Sequence, residues 1–417
     1  MVIAAIFYTD RGIFYFLVAA GDQGQEQCQL LLFITHEFCG GNGYQCGIYI
    51  TVSLEPAIYL SKIISIGTAL PKFRHKQQEI LQFMLNAYQP EAGDRRKIAL
   101  LYERSGIDTR YSVVPDYSCS AEERIFYPTT SDLEPFPGLE RRMELYQTHA
   151  TALSTASIAD CTADTADITC LITVSCTGMS APGLDISIME ELGLPSNIQR
   201  SSVNFMGCYA AIHALKMADN ICRADEKAKV LIVCTELCTI HFQKDCEMDS
   251  IASGLLFGDG SAAVLVTSDS YPAKGVRIGN FYSEVALHGQ KDMAWNLSGK
   301  GFLMRLSAYI PQLVQACITP LLDNALKAGG HSRNDISRWA IHPGGRKILE
   351  SVGKELNLSG DQLKKSFDVL RDYGNMSSPT ILFVLKDILQ DLNGSSEKIF
   401  AAAFGPGLTM ETLILEQ

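Results

Sequence analysis

Phe257-Gly-Asp-Gly-Ser-Ala-Ala-Val-Leu-Val266 and Phe404-Gly-Pro-Gly-Leu-Thr-Met-Glu-Thr-Leu-Ile-Leu415 are two versions of one pattern, an aromatic residue and two glycines leading into an apolar strand. Moving back along the chain from each, the same order of elements recurs. Ahead of the first lies the apolar strand Lys229 to Thr235, and ahead of that a helix opening at Gly207-Cys-Tyr-Ala-Ala211. Ahead of the second lies the strand Lys398 to Ala403, preceded by a helix opening near Gly374-Asn-Met-Ser-Ser378. Each aromatic-glycine motif is read as the centre of a strand pair. Two α/β units in like order predict a pseudo-dyad. Such a dyad brings Cys208 and Asn375, each at a helix start, toward one centre. His342, just after the strand Arg338-Trp-Ala-Ile341, ends near it.

The flanking chain extends this α/β reading. Tyr59 to Gly67 and Thr169 to Ser175 read as strands. Lys76 to Tyr88 reads as a helix with Ile80, Leu81, Met84 and Leu85 at helical spacing, and Glu140 to Ile158 as a second, longer one. Strands alternating with helices imply a mostly parallel or mixed sheet covered on both faces. Residues 1–57 differ, alternating apolar runs with Gly/Gln-rich turns and carrying no motif. They are expected to be a non-core extension, such as one read through from an early start codon; a surface hairpin is the other reading. The division expected is 1–57, then 58–270 and 271–417 as the two halves.

Composition narrows the function. Of 417 residues, 47% are hydrophobic and 19% charged, a globular balance, and the net charge of -11 disfavours nucleic acid as a partner. An anionic substrate then needs a local basic patch. Ile3 to Ala20 is apolar but broken by Asp10 and Arg11, which argues against a membrane span and leaves only a weak signal-like segment. The 13 cysteines are irregularly spaced, several inside strands, as expected of reduced thiols in the cytoplasm.

Cys208 stands where a strand turns into a helix, so its sulfur feels the positive end of the helix dipole, and a nearby imidazole could pair with it as thiolate and imidazolium. Gly207 permits the sharp turn. A thiolate can hold an acyl group, and imidazole and amide N–H groups can stabilise a thioester oxygen as it gains charge. Each residue also has an ordinary explanation: a buried structural cysteine, a satisfied core histidine, and Asn375 as a helix N-cap. Cys234, Cys238, His241 and Cys246 superficially suit zinc. However, Cys234 lies in a strand and the set lacks a compact knuckle, so no metal is expected.

The segments Asn204-Phe-Met-Gly-Cys-Tyr-Ala-Ala211, Leu256-Phe-Gly-Asp-Gly-Ser-Ala-Ala-Val264, Ile341-His-Pro-Gly-Gly345, Asp372-Tyr-Gly-Asn-Met-Ser-Ser378 and Phe404-Gly-Pro-Gly-Leu-Thr-Met-Glu-Thr412 resemble those of chalcone/stilbene synthases, in order and spacing, from about residue 60 onward. The resemblance implies a thiolase-like fold, two pseudo-dyad-related α/β halves in a layered αβαβα arrangement. It implies a type III polyketide synthase that loads an acyl-CoA starter on Cys208 and extends it with malonyl-CoA, using His342 and Asn375, without a metal or redox cofactor, as a homodimer. It also implies Phe257 as gatekeeper between the CoA tunnel and the cavity, Thr177 and Ser377 as cavity-lining residues, and Lys97 and Arg104 as CoA contacts. The third basic CoA position resembles Leu100. His241 falls where plant enzymes carry a small Thr, Met293 at a cavity glycine, and Phe302 at a second Phe. Ala181 falls where plant enzymes send a Met across the dimer interface, and Cys176 resembles bacterial members. These departures point from flavonoids toward a pyrone, resorcinol or naphthalene product. An initiating ketoacyl-ACP synthase, a non-catalytic acyl- or CoA-binding protein on the same fold, and a papain-like hydrolase, whose local Cys signature is absent, are the alternatives.

Overall fold

The computed structural model describes residues 3–9, 12–18, 60–392, 394 and 396–417. Residues 1–58 form one compact unit and 59–417 another. In the first, β1 (Ile3–Thr9) and β2 (Gly12–Val18) pair antiparallel. Most of the expected extension lies outside the described residues.

The second unit begins with β3 (Ser61–Ala69), β4 (Phe73–Lys76), α1 (Gln77–Tyr88), α2 (Ala92–Glu103), β5 (Thr109–Ser112) and α3 (Leu139–Cys161). It continues through β6 (Cys170–Ser175), α4 (Leu184–Leu192), β7 (Gln199–Asn204), α5 (Ala210–Ala224), β8 (Lys229–Leu237), α6 (Met248–Leu256) and β9 (Asp259–Ser268). The second half holds β10 (Val276–Val285), β11 (Met293–Ser298), β12 (Gly301–Leu306), α7 (Ile310–Gly329), β13 (Arg338–Ile341) and α8 (Arg346–Glu355). It closes with α9 (Lys364–Tyr373), α10 (Pro379–Gln390), β14 (Lys398–Gly405) and β15 (Thr409–Glu416).

Nine strands form one sheet in the order β13-β14-β15-β10-β3-β9-β8-β6-β7. Read outward from the middle, β10-β15-β14-β13 repeats β3-β9-β8-β6, with the same senses: β6/β8 and β13/β14 are parallel, β8/β9 and β14/β15 antiparallel. The halves join at β3 and β10 through the pairs Val276↔Ile63, Arg277↔Lys62 and Ile278↔Ser61. This is the pseudo-dyad expected from the repeated motif.

Burial explains the composition of the central elements. Every residue of β6, β8 and β9 is buried, so these strands read as continuous apolar runs instead of alternating ones. The equivalent helices α5 and α10 share one core with both halves of the sheet. On α5 the alanines 210, 211, 214 and 218 are fully buried, and their small side chains let the strands approach closely.

The two aromatic-glycine motifs differ more than their sequences suggest. Phe404-Gly-Pro-Gly407 is the tight turn between paired β14 and β15, in register Gly405↔Thr409. Phe257-Gly258 instead follows a helix. β8 and β9 still pair, ending at Leu237↔Asp259, but residues 238–258 including α6 are inserted between them. The expected strand pair around Phe257 is therefore one strand, with its partner about 20 residues earlier in the chain.

Candidate active site

Three separated segments place the sulfur, imidazole and carboxamide. After β7 the chain turns through Gly207, whose φ is +87°, and a Cβ there would lie 2.4 Å from Pro406 Cδ. Only glycine fits this turn, which sets Cys208 just before α5. His342 extends β13 by one residue, its N–H donating to Ala402 O at 2.9 Å. Asn375 is not the cap of α10, which is Ser378. Its backbone is clamped to the segment that carries Phe257, with Asn375 N donating to Leu256 O (2.9 Å) and Gly258 N to Asn375 O (3.0 Å).

Cys208, His342 and Asn375 line one cavity of about 40 Å³ together with Thr177, Phe257, Met293 and Ser377. Asn375 Oδ1 accepts the Ser377 N–H at 2.8 Å, which assigns the amide orientation, and both Oδ1 and Nδ2 stand 3.9 Å from Cys208 Sγ. Among the described residues, neither ring nitrogen of His342 has a hydrogen-bond partner, although the residue is 1% exposed. Buried polar groups without partners are uncommon, so the bland reading of a satisfied core histidine is overturned.

Burial, not the helix dipole, governs the resting charges. It pushes the Cys208 thiol up to about 11, against smaller lowering contributions from Ser377 and Asn375, and pushes the His342 imidazole down to about 3. A helix terminus contributes roughly 0.3–1 kcal/mol, under one pKa unit, which is too little to offset that burial. Both shifts favour the neutral thiol and the neutral imidazole over the thiolate–imidazolium pair in the substrate-free site. Inactivation of the substrate-free protein by iodoacetamide is expected to keep accelerating across roughly pH 7 to 10, as an ordinary or raised thiol does. A rate already flat at neutral pH would reveal the ion pair instead.

The other expected residues divide among three spaces. A groove of about 360 Å³ holds Leu100, Arg104, Arg346 and Lys347, and meets the catalytic cavity at Leu306, Gly344 and Ile348. Lys97 does not line it: its side chain is 78% exposed and its ammonium pairs with Asp94 at 2.9 Å. A second cavity of about 170 Å³ is lined by His241 and Phe302, and Phe257 lies in the wall it shares with the catalytic cavity.

Phe257 is not among the groove-lining residues; it stands in the wall between the catalytic cavity and the second cavity. Helical spacing gives the reason. Met248, Ile251, Ala252 and Leu255 of α6 face the groove, whereas Ser250, Ser253, Gly254 and then Phe257 face the second cavity.

His241 is fixed from both sides. Its Nε2 donates to Thr177 O at 2.8 Å, its Nδ1 accepts from Phe302 N–H at 3.1 Å, and its ring stacks on Phe302 with centroids 4.4 Å apart. Both nitrogens of the superficial zinc pattern are thus occupied. Cys246, a further member, is exposed and donates to Tyr88 O.

Sequence reading missed Glu236, at the end of β8. It is fully buried, accepts from Cys176 N (2.9 Å), Thr177 Oγ1 (2.8 Å) and Ser378 Oγ (3.0 Å), and is pushed up to about 7 by that burial. A carboxylate near the end of a largely apolar strand was the available signal. Trp295 and Met304 of the cavity wall were also missed.

A two-half α/β fold whose centre gathers a thiol, an imidazole and a carboxamide is that of the thiolase-like condensing enzymes. The N-terminal domain profile of the chalcone and stilbene synthases matches residues 56–270, and the C-terminal domain profile matches 282–417. The chain belongs to this family and is a type III polyketide synthase, an acyltransferase-type enzyme of a family that uses acyl-CoA substrates.

It is 32% identical over 372 residues to the alpha-pyrone synthesis polyketide synthase-like Pks18 of Mycobacterium tuberculosis, covering 87% of this chain and 92% of the relative. It is 29% identical over 381 residues to the 3,5-dihydroxyphenylacetyl-CoA synthase of Amycolatopsis balhimycina, covering 88% and 99%. Among solved structures, PKS-I of the brown alga Ectocarpus siliculosus superposes with a TM-score of 0.79 at 27% identity, covering 87% of this chain and 99% of that one. The C-terminal type III domain of Steely1 from Dictyostelium, a type I/III hybrid, also gives 0.79, at 26% identity and 86% and 99% coverage. Among the described residues, no helix is long and apolar enough to cross a membrane.

Proposed function

We propose that Cys208, His342 and Asn375 carry acyl loading and decarboxylative condensation. The observation behind this is their convergence on one small cavity that adjoins a groove bearing Arg104, Arg346 and Lys347. In loading, neutral His342 accepts the Cys208 proton as sulfur attacks the acyl-CoA carbonyl. The C–S bond to CoA breaks, and the departing thiolate takes that proton from the imidazolium. Malonyl-CoA then loses carbon dioxide. The electron pair of the broken C–C bond becomes an enolate, whose oxygen is held by N–H groups of His342 and Asn375. The enolate carbon attacks the acyl-cysteine, breaking its C–S bond and releasing the Cys208 thiolate, which takes a proton from solvent to restore the thiol. Carbon, charge and protons balance without a metal or a redox group.

The groove cations suit CoA phosphates, as a local positive patch on an acidic chain. Thr177, Ser377 and Met293 would shape the space for the acyl group. The product we favour is a pyrone or resorcinol ring, following the activities for which the relatives are named. Incubation with malonyl-CoA and a panel of acyl-CoAs should yield cyclised polyketides by mass spectrometry; release of carbon dioxide with no lengthened product would overturn this reading.

We infer a homodimer as well. β7 is an edge strand with Gln199, Arg200, Ser202 and Asn204 largely exposed, and Met179 beside it is 53% exposed. An unpaired edge of this kind is normally covered, and a second copy would do so. A sedimenting monomer at micromolar concentration would contradict it. The unpaired cysteines of the described chain suit the reducing cytoplasm.

A further inference from the structure

The β11–β12 hairpin lies outside the nine-stranded sheet. Its register pairs Met293 with Leu306 and Trp295 with Met304. Because side chains alternate along a strand, these four fall on one face, and all four line the catalytic cavity. Trp295 and Met304, with Cys238 and Phe257, also line the second cavity. The two spaces are thus separated by four side chains, of which the indole is the largest.

Three contacts hold that indole in place. Its Nε1 donates to Cys176 O at 2.6 Å, in the loop that also supplies Thr177. Its ring meets Phe302 edge-on at 6.0 Å and His241 edge-on at 5.8 Å. His241 is in turn bonded to Thr177 O. The indole is therefore pinned to the same loop that walls the nucleophile's cavity.

Size makes the partition consequential. The catalytic cavity, at about 40 Å³, has a quarter of the volume of the 170 Å³ chamber behind the wall. A chain that gains two carbons at every condensation outgrows the first space quickly. The chamber's lining is suited to oxygen-bearing chains: it includes His75, Ser112, Thr239 and Gln243, together with Arg110, whose Nη2 has no hydrogen-bond partner among the described residues although Arg110 is 3% exposed.

Resting on the polyketide-forming reading above, we propose that Trp295 is a specificity-determining residue: it divides the acyl-binding space and so limits the number of condensations, while the chamber behind it suits the keto-rich distal part of a longer chain. Its bulk, not its N–H, sets the limit.

The test is the product distribution made from malonyl-CoA and a short acyl-CoA. Wild type, Trp295→Ala, Trp295→Phe and the double variant Trp295→Ala/Ser253→Phe are compared by mass spectrometry. Ser253 lines the far chamber, so phenylalanine there refills it. Trp295→Ala is expected to raise the ratio of longer to wild-type-length products at least tenfold. Trp295→Phe should keep the wild-type products, and the double variant should revert toward them. If the alanine variant does not fold, Trp295→Leu carries the same expectation. An alanine or leucine variant that loads Cys208 but makes only wild-type products overturns the partition. So does a phenylalanine variant that lengthens products as much as alanine, since the hydrogen bond to Cys176 would then be the determinant. Product of any length from wild type tests the underlying reaction separately, because a shift in length cannot arise unless condensation occurs.

Discussion

Cys208→Ala should abolish covalent loading and lower polyketide formation by on the order of 10⁴-fold or more, the scale of losing a catalytic nucleophile. Intact-protein mass spectrometry after exposure to acyl-CoA would show an adduct on the wild type and none on the variant. Folding should survive, because deleting one sulfur from a well-packed site costs about 1 kcal/mol. The melting temperature then separates a lost nucleophile from a lost fold. His342 and Asn375 do not need the sulfur to hold an enolate, so the variant should still release carbon dioxide from malonyl-CoA. Normal product from Cys208→Ala would remove Cys208 from the reaction. An adduct of equal yield would place the acyl group on another thiol, and Cys176, whose Sγ accepts the Gly207 N–H at 3.0 Å, would be the first to examine.

Much of the architecture was legible because it is written in local pattern. The apolar run of β8, the helix with Ile80, Leu81, Met84 and Leu85, and the four-residue strand before His342 follow from burial and period. The pseudo-dyad followed from a repeated order of elements, and it put three distant residues in one cavity. What escaped was whatever depends on direction across space. Which space Phe257 faces is decided by a single helical turn at the end of α6, which directs it to the second cavity. Lys97, a CoA contact by resemblance, pairs with Asp94 on an exposed helix face, a contact that depends on where the helix points. Trp295 belongs to a hairpin whose register no local motif announces, so its place in the wall appears only once Met304 is seen opposite it.

Glu236 shows the same limit from the energetic side. A carboxyl raised to about 7 inside the fold binds a proton that the unfolded chain has already released. Folding therefore costs more as pH rises from the usual carboxylate range toward 7. Hydrogen bonds from Cys176, Thr177 and Ser378 offset part of that cost. They also tie together the two loops that border Cys208 and the start of α10. Sequence alone shows an acidic residue near the end of a largely apolar strand; only the fold shows that it is the common acceptor of two segments around the nucleophile.

His342→Ala and Asn375→Ala should each slow malonyl-CoA decarboxylation by roughly a hundredfold or more, the usual loss for one donor to a developing oxyanion. Asn375→Ala should affect acyl loading less. Its Nδ2 stands 3.9 Å from the sulfur, too far for a strong bond to the resting thiol, and it accepts no proton. His342→Ala should slow both steps, since the imidazole is also the group proposed to take the thiol proton. The environment of His342 makes the distinction sharper. Burial holds the ring neutral, down to about 3, so it offers a neutral N–H donor and a free lone pair at physiological pH. His342→Gln keeps an N–H donor but no base, and should therefore recover decarboxylation more than loading. The pH profile of decarboxylation should show no loss from protonation of this ring between about pH 5 and 8, because its lowered value lies well below that range. The measurement is carbon dioxide release from malonyl-CoA alone, set beside adduct formation from acyl-CoA, for wild type and the three variants. Decarboxylation at the wild-type rate in either alanine variant would mean that residue does not hold the enolate. Equal recovery of both steps in His342→Gln would mean that the ring serves as a donor only, and the proton acceptor for Cys208 would then have to be sought elsewhere in the cavity.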